Sequence, residues 1–288
     1  MNHTDYISPT KKSKMKYKIT LLVLAIYCNT YAQKELTFKI NYSPETSYIQ
    51  TITQSAENNM TYSGSEEFIQ KLKEKKVQNP TVTNTSSTIK MNFKTGKLNA
   101  QNYFPLTMEF LKINNSDIKK TIPVGTTIYG RGTVDKMPEL DSIVAKGMDD
   151  NLKKSLLQTM QSTLAQILFP TKKVKVGEDF SQTTPLSIPI AGNTLEMTIE
   201  TNYKLISIDN NLGHFDVIQT YKVISNISKY EITASGSGKG ELVYDIKNNF
   251  LLKYKTNSEL KMDMKSEKFS ISVVSKNGFD QSVVIKKK

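Results

Sequence analysis

The sequence predicts an α+β protein dominated by long antiparallel strands, which form a curved sheet or a partly open β-barrel. From residue 252 to residue 264 the even positions read Leu, Tyr, Thr, Ser, Leu, Met, Met, and the positions between them are polar or charged. This run would make a strand about 44 Å long at about 3.4 Å per residue, roughly twice the usual length. Turn signals recur between similar runs, and only one stretch has the length and periodicity of a long helix. Because so long a strand must twist and coil, we expect a curved sheet that shelters one apolar face.

The N-terminus is predicted to be a targeting segment rather than part of the fold. Residues 1–14 are a polar upstream extension. Residues 15–32 have the parts of a secretory signal peptide, namely a basic start, a short apolar run and a small-x-Ala cleavage pattern that ends at Ala32. The apolar run, 19–28, is shorter than the roughly 20 residues that cross a bilayer. We therefore expect export to the periplasm or the cell exterior.

Cleavage leaves residues 33–288 as a single β-rich domain. The removed part carries five Lys, one Asp and the only Cys, so the formal charge falls from +12 to +8. Disulfides and thiol chemistry are then excluded. The remaining charge is dispersed, which argues against nucleic acid as a partner and is compatible with a membrane surface. An outer-membrane lipoprotein anchored at Cys28 is a minor alternative, because Tyr27 is large where a lipobox has a small residue.

The predicted strands alternate in period two and are separated by turn signals. In chain order they are residues 35–42, 47–54, 87–93, 103–113, 126–134, 174–180 with a turn at Gly177, 195–205, 215–223, 230–244, 252–264 and 268–278. The sequence DNNLG at 209–213 predicts a hairpin turn. A short amphipathic helix is predicted within 63–76, with Ser63 and Glu66 as its capping box.

Residues 138–169 are predicted to hold the one long helix. Pro138 suits a helix start and Pro170 ends it, while Gly147 is a point where it breaks into a short and a long part. At 100° per residue, the apolar side chains of the long part cover a stripe of roughly 160°. They are Leu152, Leu156, Leu157, Met160, Leu164, Ile167 and Leu168. We expect this stripe to pack on the concave side of the sheet.

Residues with catalytic or metal-binding potential are isolated in the sequence. His214 is the only His after cleavage, and because it follows the turn glycine Gly213 we expect it in an exposed loop. A zinc centre needs several His or Cys ligands. The sequence GSGKG at 236–240 lacks P-loop spacing, so its alternating glycines indicate either close approach within the sheet or space for a ligand. We therefore predict no enzyme activity, no cofactor and no metal. A hydrolase ranks third, and it requires His214 to meet a Ser and a carboxylate.

Two short motifs carry a resemblance to a known family. Residues 170–180 read P-x-x-x-V-x-V-G-E-D-F, and residues 238–245 read G-x-G-x-x-x-Y-D. With the signal peptide and the hairpins, they make the chain resemble a family of uncharacterised exported proteins of the Bacteroidota, which has no assigned function. More loosely, the plan resembles half-barrel lipoprotein carriers of the periplasm, in which a curved antiparallel sheet wraps helices and holds acyl chains. Neither resemblance supplies an active site.

The function predicted from these observations is non-enzymatic binding of an apolar ligand, such as a lipid or a lipoprotein acyl chain, inside the curved sheet. The predicted binding residues lie on the apolar faces of the long strand and the long helix: Leu252, Tyr254, Leu260, Met262, Met160 and Leu164. Thr256 and Ser258 interrupt that face, and mark a bulge, a crossing at the rim or a polar point in a lining. The alternative is a structural or protein-interaction module of the cell envelope with a filled core and an exposed apolar patch or an unpaired sheet edge.

Overall fold

The computed structural model describes residues 34–116, 122–134, 136–166, 171–190, 193–224 and 230–287. The predicted extension, the signal peptide and Cys28 lie outside the described residues. The chain divides into two units, Met1–Lys34 and Glu35–Lys288, and nearly all described residues belong to the second.

Strands make up most of the second unit. In chain order the elements are β1 (Glu35–Phe38), β2 (Thr46–Gly64), α1 (Glu66–Glu74), β3 (Thr81–Thr95), β4 (Phe104–Asn115), β5 (Thr127–Gly132), β6 (Glu139–Val144), α2 (Asp150–Gln166), β7 (Lys172–Lys175), β8 (Asp179–Ile190), β9 (Asn193–Asp209), β10 (Leu212–Val223), β11 (Glu231–Asp245), β12 (Phe250–Lys265) and β13 (Phe269–Lys287). The predicted β-dominated α+β class is confirmed.

Eleven strands form one antiparallel sheet in the order β6-β5-β4-β3-β2-β13-β12-β11-β10-β9-β8, and β1 pairs with β7 separately. Each strand of the large sheet lies beside its neighbour in sequence, except where β2 meets β13. That junction is a ladder of nineteen residues on each strand, from Thr46 opposite Lys287 to Gly64 opposite Phe269. Within the described residues no ladder joins β6 to β8. The sheet is therefore an open antiparallel meander in two halves, and not a closed barrel.

The predicted long strand is continuous. It extends over Phe250–Lys265 and pairs with β11 on one side and β13 on the other. Its even-numbered residues from Tyr254 to Met264 lie on one face of the sheet, which we call the inner face. The opposite, outer face carries the charged residues of β12. The predicted hairpin at 209–213 is also present, since Asn210 and Asn211 have φ values of 48° and 63°, as a two-residue primed turn requires.

The predicted helix over 138–169 is wrong in its first part, because Glu139–Val144 forms strand β6. Leu140 lies opposite Gly130 and Ser142 lies opposite Tyr129, so Asp141 is the extra residue of a β-bulge. A bulge reverses the alternation and puts Leu140 and Ile143 on the same face, where both pack on the core. The i, i+3 spacing of these two residues is therefore compatible with a bulged strand as well as with a helix.

Helix α2 begins at Asp150 and packs along the β6 edge of the sheet. Leu157 and Met160 contact the core on the inner face, whereas Leu152 is 58% exposed. Gln161 fastens the helix to the strand, since its Oε1 accepts a hydrogen bond from the Leu140 amide at 2.7 Å. Its Nε2 donates to the carbonyl of Pro138 at 3.4 Å. The stripe is thus shorter than predicted, and its last members, Ile167 and Leu168, lie outside the described residues.

Helix α1 is capped differently from the prediction. Ser65 is its N-cap residue and accepts a hydrogen bond from the Phe68 amide at 3.3 Å. Ser63 belongs instead to β2, where its hydroxyl bonds that of Ser270 at 2.6 Å. The true cap thus lies two residues later, at the residue directly before the helix.

Three clusters of buried apolar residues lie at the two ends of the inner face. Cluster 1 joins β2–β5 to the start of β12 and contains Tyr42, Tyr48, Met91, Phe93, Phe104, Leu106, Met108, Phe110, Ile128, Phe250, Leu251 and Val283. Cluster 2 packs β1 and β7 on β8–β11 and contains Leu36, Phe38, Val174, Phe180, Tyr203, Leu205, Phe215, Val217, Leu242 and Tyr244. Cluster 3, at the opposite end of the strands, contains Leu195, Met197, Ile232 and Met264.

Candidate ligand-binding groove

Between these clusters the inner face carries an open groove of about 480 Å³. Its lining comes from β2, β3, β4, β10, β12 and β13: Gln54, Ser55, Ala56, Thr85, Ser86, Ser87, Asn115, Gln219, Tyr221, Tyr254, Thr256, Ser258, Asn277, Gly278 and Phe279. In the sheet order β4 and β10 are six strand spacings apart, or about 29 Å if the sheet were flat. Because both strands line one groove, the sheet is not flat at this level, and the groove is bounded by strands of both its halves.

Three half-buried aromatic side chains form the walls of the groove. The rings of Tyr254 and Phe279 meet edge to face, with centroids 5.7 Å apart. The Tyr221 hydroxyl donates to the Ser258 hydroxyl oxygen at 3.0 Å, which fixes the third ring beside β12. Aromatic rings held in this way offer apolar contact area at little cost in conformational entropy.

The rest of the lining is polar and uncharged. None of the described residues that line the groove is Asp, Glu, Lys, Arg or His. Gln54, Gln219 and Thr256 make no side-chain hydrogen bond to another described residue, although Thr256 is only 6% exposed. A groove of this size with unpaired donors and acceptors can hold a small molecule and orient it.

Tyr254 also connects the groove to the packed core. Its ring lies 6.5 Å from that of Tyr203, and it packs against clusters 1 and 2. Burial raises the pKa of both phenols, and the adjacent Tyr254 adds to the rise at Tyr203. Both side chains therefore stay neutral and keep their hydrogen-bonding protons throughout the physiological pH range.

The structure distinguishes between the alternatives for Thr256 and Ser258, the two polar residues on the apolar face of β12. The pairing of β12 with β11 and β13 is regular at both positions, so neither marks a bulge. Both line the groove. The bulge lies earlier, at Leu252, because Leu251 faces Tyr244 and Lys253 faces Val243. Thr256 and Ser258 are the polar point in a lining.

The six predicted binding residues are spread over four places. Tyr254 lines the groove, whereas Leu252 is half-buried at the bulge of β12. Leu260 and Met262 are half-buried and pack against cluster 3. The two helix residues lie elsewhere, with Met160 against cluster 1 and Leu164 buried within α2.

The groove continues into the predicted apolar residues along β12. Ser258, Leu260 and Met262 follow one another on the inner face, two residues apart. Opposite them on β13 stand Asn277, Ser275 and Val273. The inner face thus changes from polar at the groove to apolar at Leu260 and beyond, and the apolar side chains there are only partly covered.

The glycines of β11 serve close approach within the sheet. Gly240 faces Thr256, and a Cβ added to it would overlap the carbonyl oxygen of Lys255 on β12. A Cβ on Gly238 would come within 2.8 Å of the Gln219 amide oxygen, so that side chain already occupies the space. Of the two interpretations of these glycines, the structure favours tight strand packing.

A second open depression, of about 910 Å³, lies behind the first on the outer face. Its lining includes charged residues of opposite sign on neighbouring strands, since Lys276 stands between Glu57 and Glu259 in register. The middle of the sheet is therefore covered by small or polar side chains on both faces, and the two faces differ in charge.

His214 lies in strand β10 and not in the loop that its preceding glycine suggested, opposite Ser207 on β9 and Val243 on β11. Across the described part of the chain, no group of three or more His, Cys, Asp or Glu side chains is placed to hold a metal ion. No helix among the described residues has the length and apolar character needed to span a membrane.

Groove residues that the sequence did not single out include Gln54, Gln219, Asn277 and Phe279. Each polar one interrupts a period-two apolar pattern at a similar distance from its turn, as Thr256 does on β12. Several interruptions at one level of a meander are a usable sequence signal, but only after the register of the strands is known.

No model of a known protein family matches the chain, and no curated protein matches it, so the resemblance to exported Bacteroidota proteins stays a prediction.

Proposed function

We propose that the protein is a non-enzymatic, exported binding protein of the cell envelope that holds a lipid-like ligand on the inner face of its sheet. The apolar chain of the ligand lies along Leu260 and Met262, and its polar end lies in the groove beside Thr256. The observation that carries the proposal is the continuous passage along β12 from uncharged polar side chains to half-buried apolar ones. A wholly apolar ligand fits the groove less well than an amphiphile, because it would leave the polar groups there unpaired.

The proposal is tested with a neutral probe, a pyrene-labelled monoacylglycerol, titrated into the purified full chain. Met262→Gln introduces an amide of similar length on the inner face, and we expect the affinity for the probe to fall about tenfold because that amide must be desolvated. Lys261→Gln is the matched control, since Lys261 is exposed on the outer face of the same strand. Equal affinities of the two variants and the parent chain would contradict the placement of the apolar chain.

The alternative, a structural or interaction module, has support from one observation. Strand β8 pairs with β9 only, which leaves one edge of the sheet unpaired within the described residues. Pro185 in the middle of β8 lacks an amide proton, and proline at such an edge disfavours addition of a further strand. Native mass spectrometry of the chain purified from a membrane-containing extract distinguishes the two functions. A co-purifying lipid mass favours the binding protein, and a stoichiometric second polypeptide favours the module.

A further inference from the structure

We propose that the part of the ligand held in the groove is a neutral group rich in hydroxyls, such as a sugar unit. This inference rests on the proposed function and specifies the chemistry of the polar end. It follows from three properties of the groove, which are its lack of charge, its unpaired donors and acceptors, and its aromatic walls.

The lack of charge excludes the common ionic headgroups. A phosphate or carboxylate placed in a partly buried site requires a cationic partner, because desolvating an unpaired charge costs several kcal/mol or more. Among the described groove residues there is no Lys, Arg or His to supply it, and no carboxylate to pair with an ammonium group. Only a neutral group enters this groove without an electrostatic penalty.

The unpaired polar groups match hydroxyls in particular. The amides of Gln54 and Gln219 each offer both donors and an acceptor, and the Thr256 hydroxyl offers one donor and an acceptor. These three side chains come from β2, β10 and β12, so they approach a bound group from different directions. A sugar hydroxyl also donates and accepts at once, and therefore satisfies such mixed partners better than a group that only accepts.

The aromatic walls complete the match. Tyr221, Tyr254 and Phe279 are half-buried and line the groove between the amides. A sugar ring has an apolar face of C–H groups beside its hydroxyls, and such a face packs on an aromatic ring while its edge is hydrogen-bonded. The same chemistry is offered by the headgroup of a glycolipid and by a free saccharide.

The experiment compares ligands that share one chain and differ in their polar end. Dodecyl maltoside, dodecylphosphocholine and dodecanoate, each below its critical micelle concentration, and free maltose are titrated into the full chain by isothermal calorimetry. We expect the maltoside to bind at least about tenfold more tightly than the other two dodecyl compounds. Equal binding of all three dodecyl compounds overturns the inference and leaves the proposed function standing.

The remaining outcomes distinguish a glycolipid headgroup from a free saccharide, and the inference about the sugar from the proposed function. Free maltose binding as tightly as the maltoside supports the sugar site but removes the apolar chain from the proposed function. Weak binding of maltose beside tight binding of the maltoside identifies a glycolipid headgroup. If none of the four compounds binds, both the inference and the proposed function fail.

A variant series assigns the selectivity to the groove. Thr256→Val keeps the shape of the side chain and removes its hydroxyl, and we expect about a fivefold loss of affinity for the maltoside with no loss for dodecanoate. Thr220→Val makes the same change on the exposed outer face of β10 and is the control. Gln54→Leu, at an exposed groove position, repeats the measurement if the buried change impairs folding. Parallel losses for both ligands in the groove variants would refute a role in headgroup selection.

Discussion

Replacing Tyr244 by Phe is expected to lower the free energy of unfolding by about 2 kcal/mol through two lost hydrogen bonds. The Tyr244 side chain is fully buried, and its ring packs on Phe38 with centroids 4.7 Å apart. The hydroxyl donates to the carbonyl of Lys39 at 2.8 Å and accepts from the amide of the same residue at 3.2 Å. It thereby fastens the chain that follows β1 to the large sheet.

The expected loss of about 2 kcal/mol follows from the hydrogen bonds that Tyr244→Phe removes and the ring contacts that it keeps. Phe preserves the ring contacts, so no cavity larger than one oxygen atom forms, and the loss is confined to the hydrogen bonds. Each bond is worth about 0.5–1.5 kcal/mol net, and the backbone groups of Lys39 are left partly buried without that partner. For a unit of this size the loss corresponds to a fall in Tm of about 4–8 °C.

Urea unfolding followed by far-ultraviolet circular dichroism measures the change at pH 7. Tyr129→Phe is the matched control, because Tyr129 is 44% exposed and its loss should change stability by less than about 0.5 kcal/mol. If Tyr244→Phe is no more destabilising than this control, the hydroxyl does not anchor β1, and the argument from its geometry is refuted.

Three further predictions concern pH, sheet packing and the helix. Burial raises the pKa of Tyr244 to about 12 from 10.0, so the folded state keeps a proton that the unfolded chain releases. The contribution of Tyr244 to stability should then fall by about 1.4 kcal/mol per pH unit between pH 10 and 12. Because burial also raises the pKa values of Tyr42, Tyr203 and Tyr254, Tyr244→Phe should reduce the total slope by about that amount, without abolishing it, in urea unfolding at alkaline pH. Gly240→Ala should lower the free energy of unfolding by about 3 kcal/mol, because the new Cβ would overlap the backbone of β12. Gly278→Ala should lower it by about 1 kcal/mol or less, because the new Cβ would lie 2.7 Å from the Ser55 hydroxyl oxygen, which can rotate away. Comparison of the two urea midpoints checks this difference. Gln161→Leu should lower the free energy of unfolding by about 1–2 kcal/mol and make hydrogen exchange faster at the Leu140 amide. An unchanged protection factor at that amide would contradict the role of Gln161 in holding α2 against β6.

Local patterns in the sequence predict most of the strands, with shorter bounds in several cases, but not how the strands register. The alternation along β12 keeps its charged side chains on the outer face from Lys253 to Lys265, and it correctly predicts a continuous strand. Pattern reasoning fails at β6, where the bulge at Asp141 changes the period of the apolar residues. A bulge depends on the partner strand, so the segment itself carries no separate sign of it.

The groove shows the same limit. Thr256 and Ser258 are visible in the sequence as polar positions on an apolar face, but Gln54 reaches them only through the pairing of β2 with β13. That pairing joins residues more than two hundred positions apart, and its register is fixed by the ladder as a whole. The apolar stripe of α2 predicts Met160 and Leu164 as binding residues, but an apolar stripe does not identify the element that it contacts.

The β2–β13 ladder has a consequence for how the chain acquires its structure. The half formed by β2–β6 and the half formed by β8–β13 each consist of sequential hairpins, which close short loops and form early. Their union brings together the beginning and the end of the described chain, and it requires residues as late as Lys287. The complete sheet therefore cannot assemble until β13 has been synthesised, and until then the edge of β2 that β13 covers stays unpaired and exposed to aggregation.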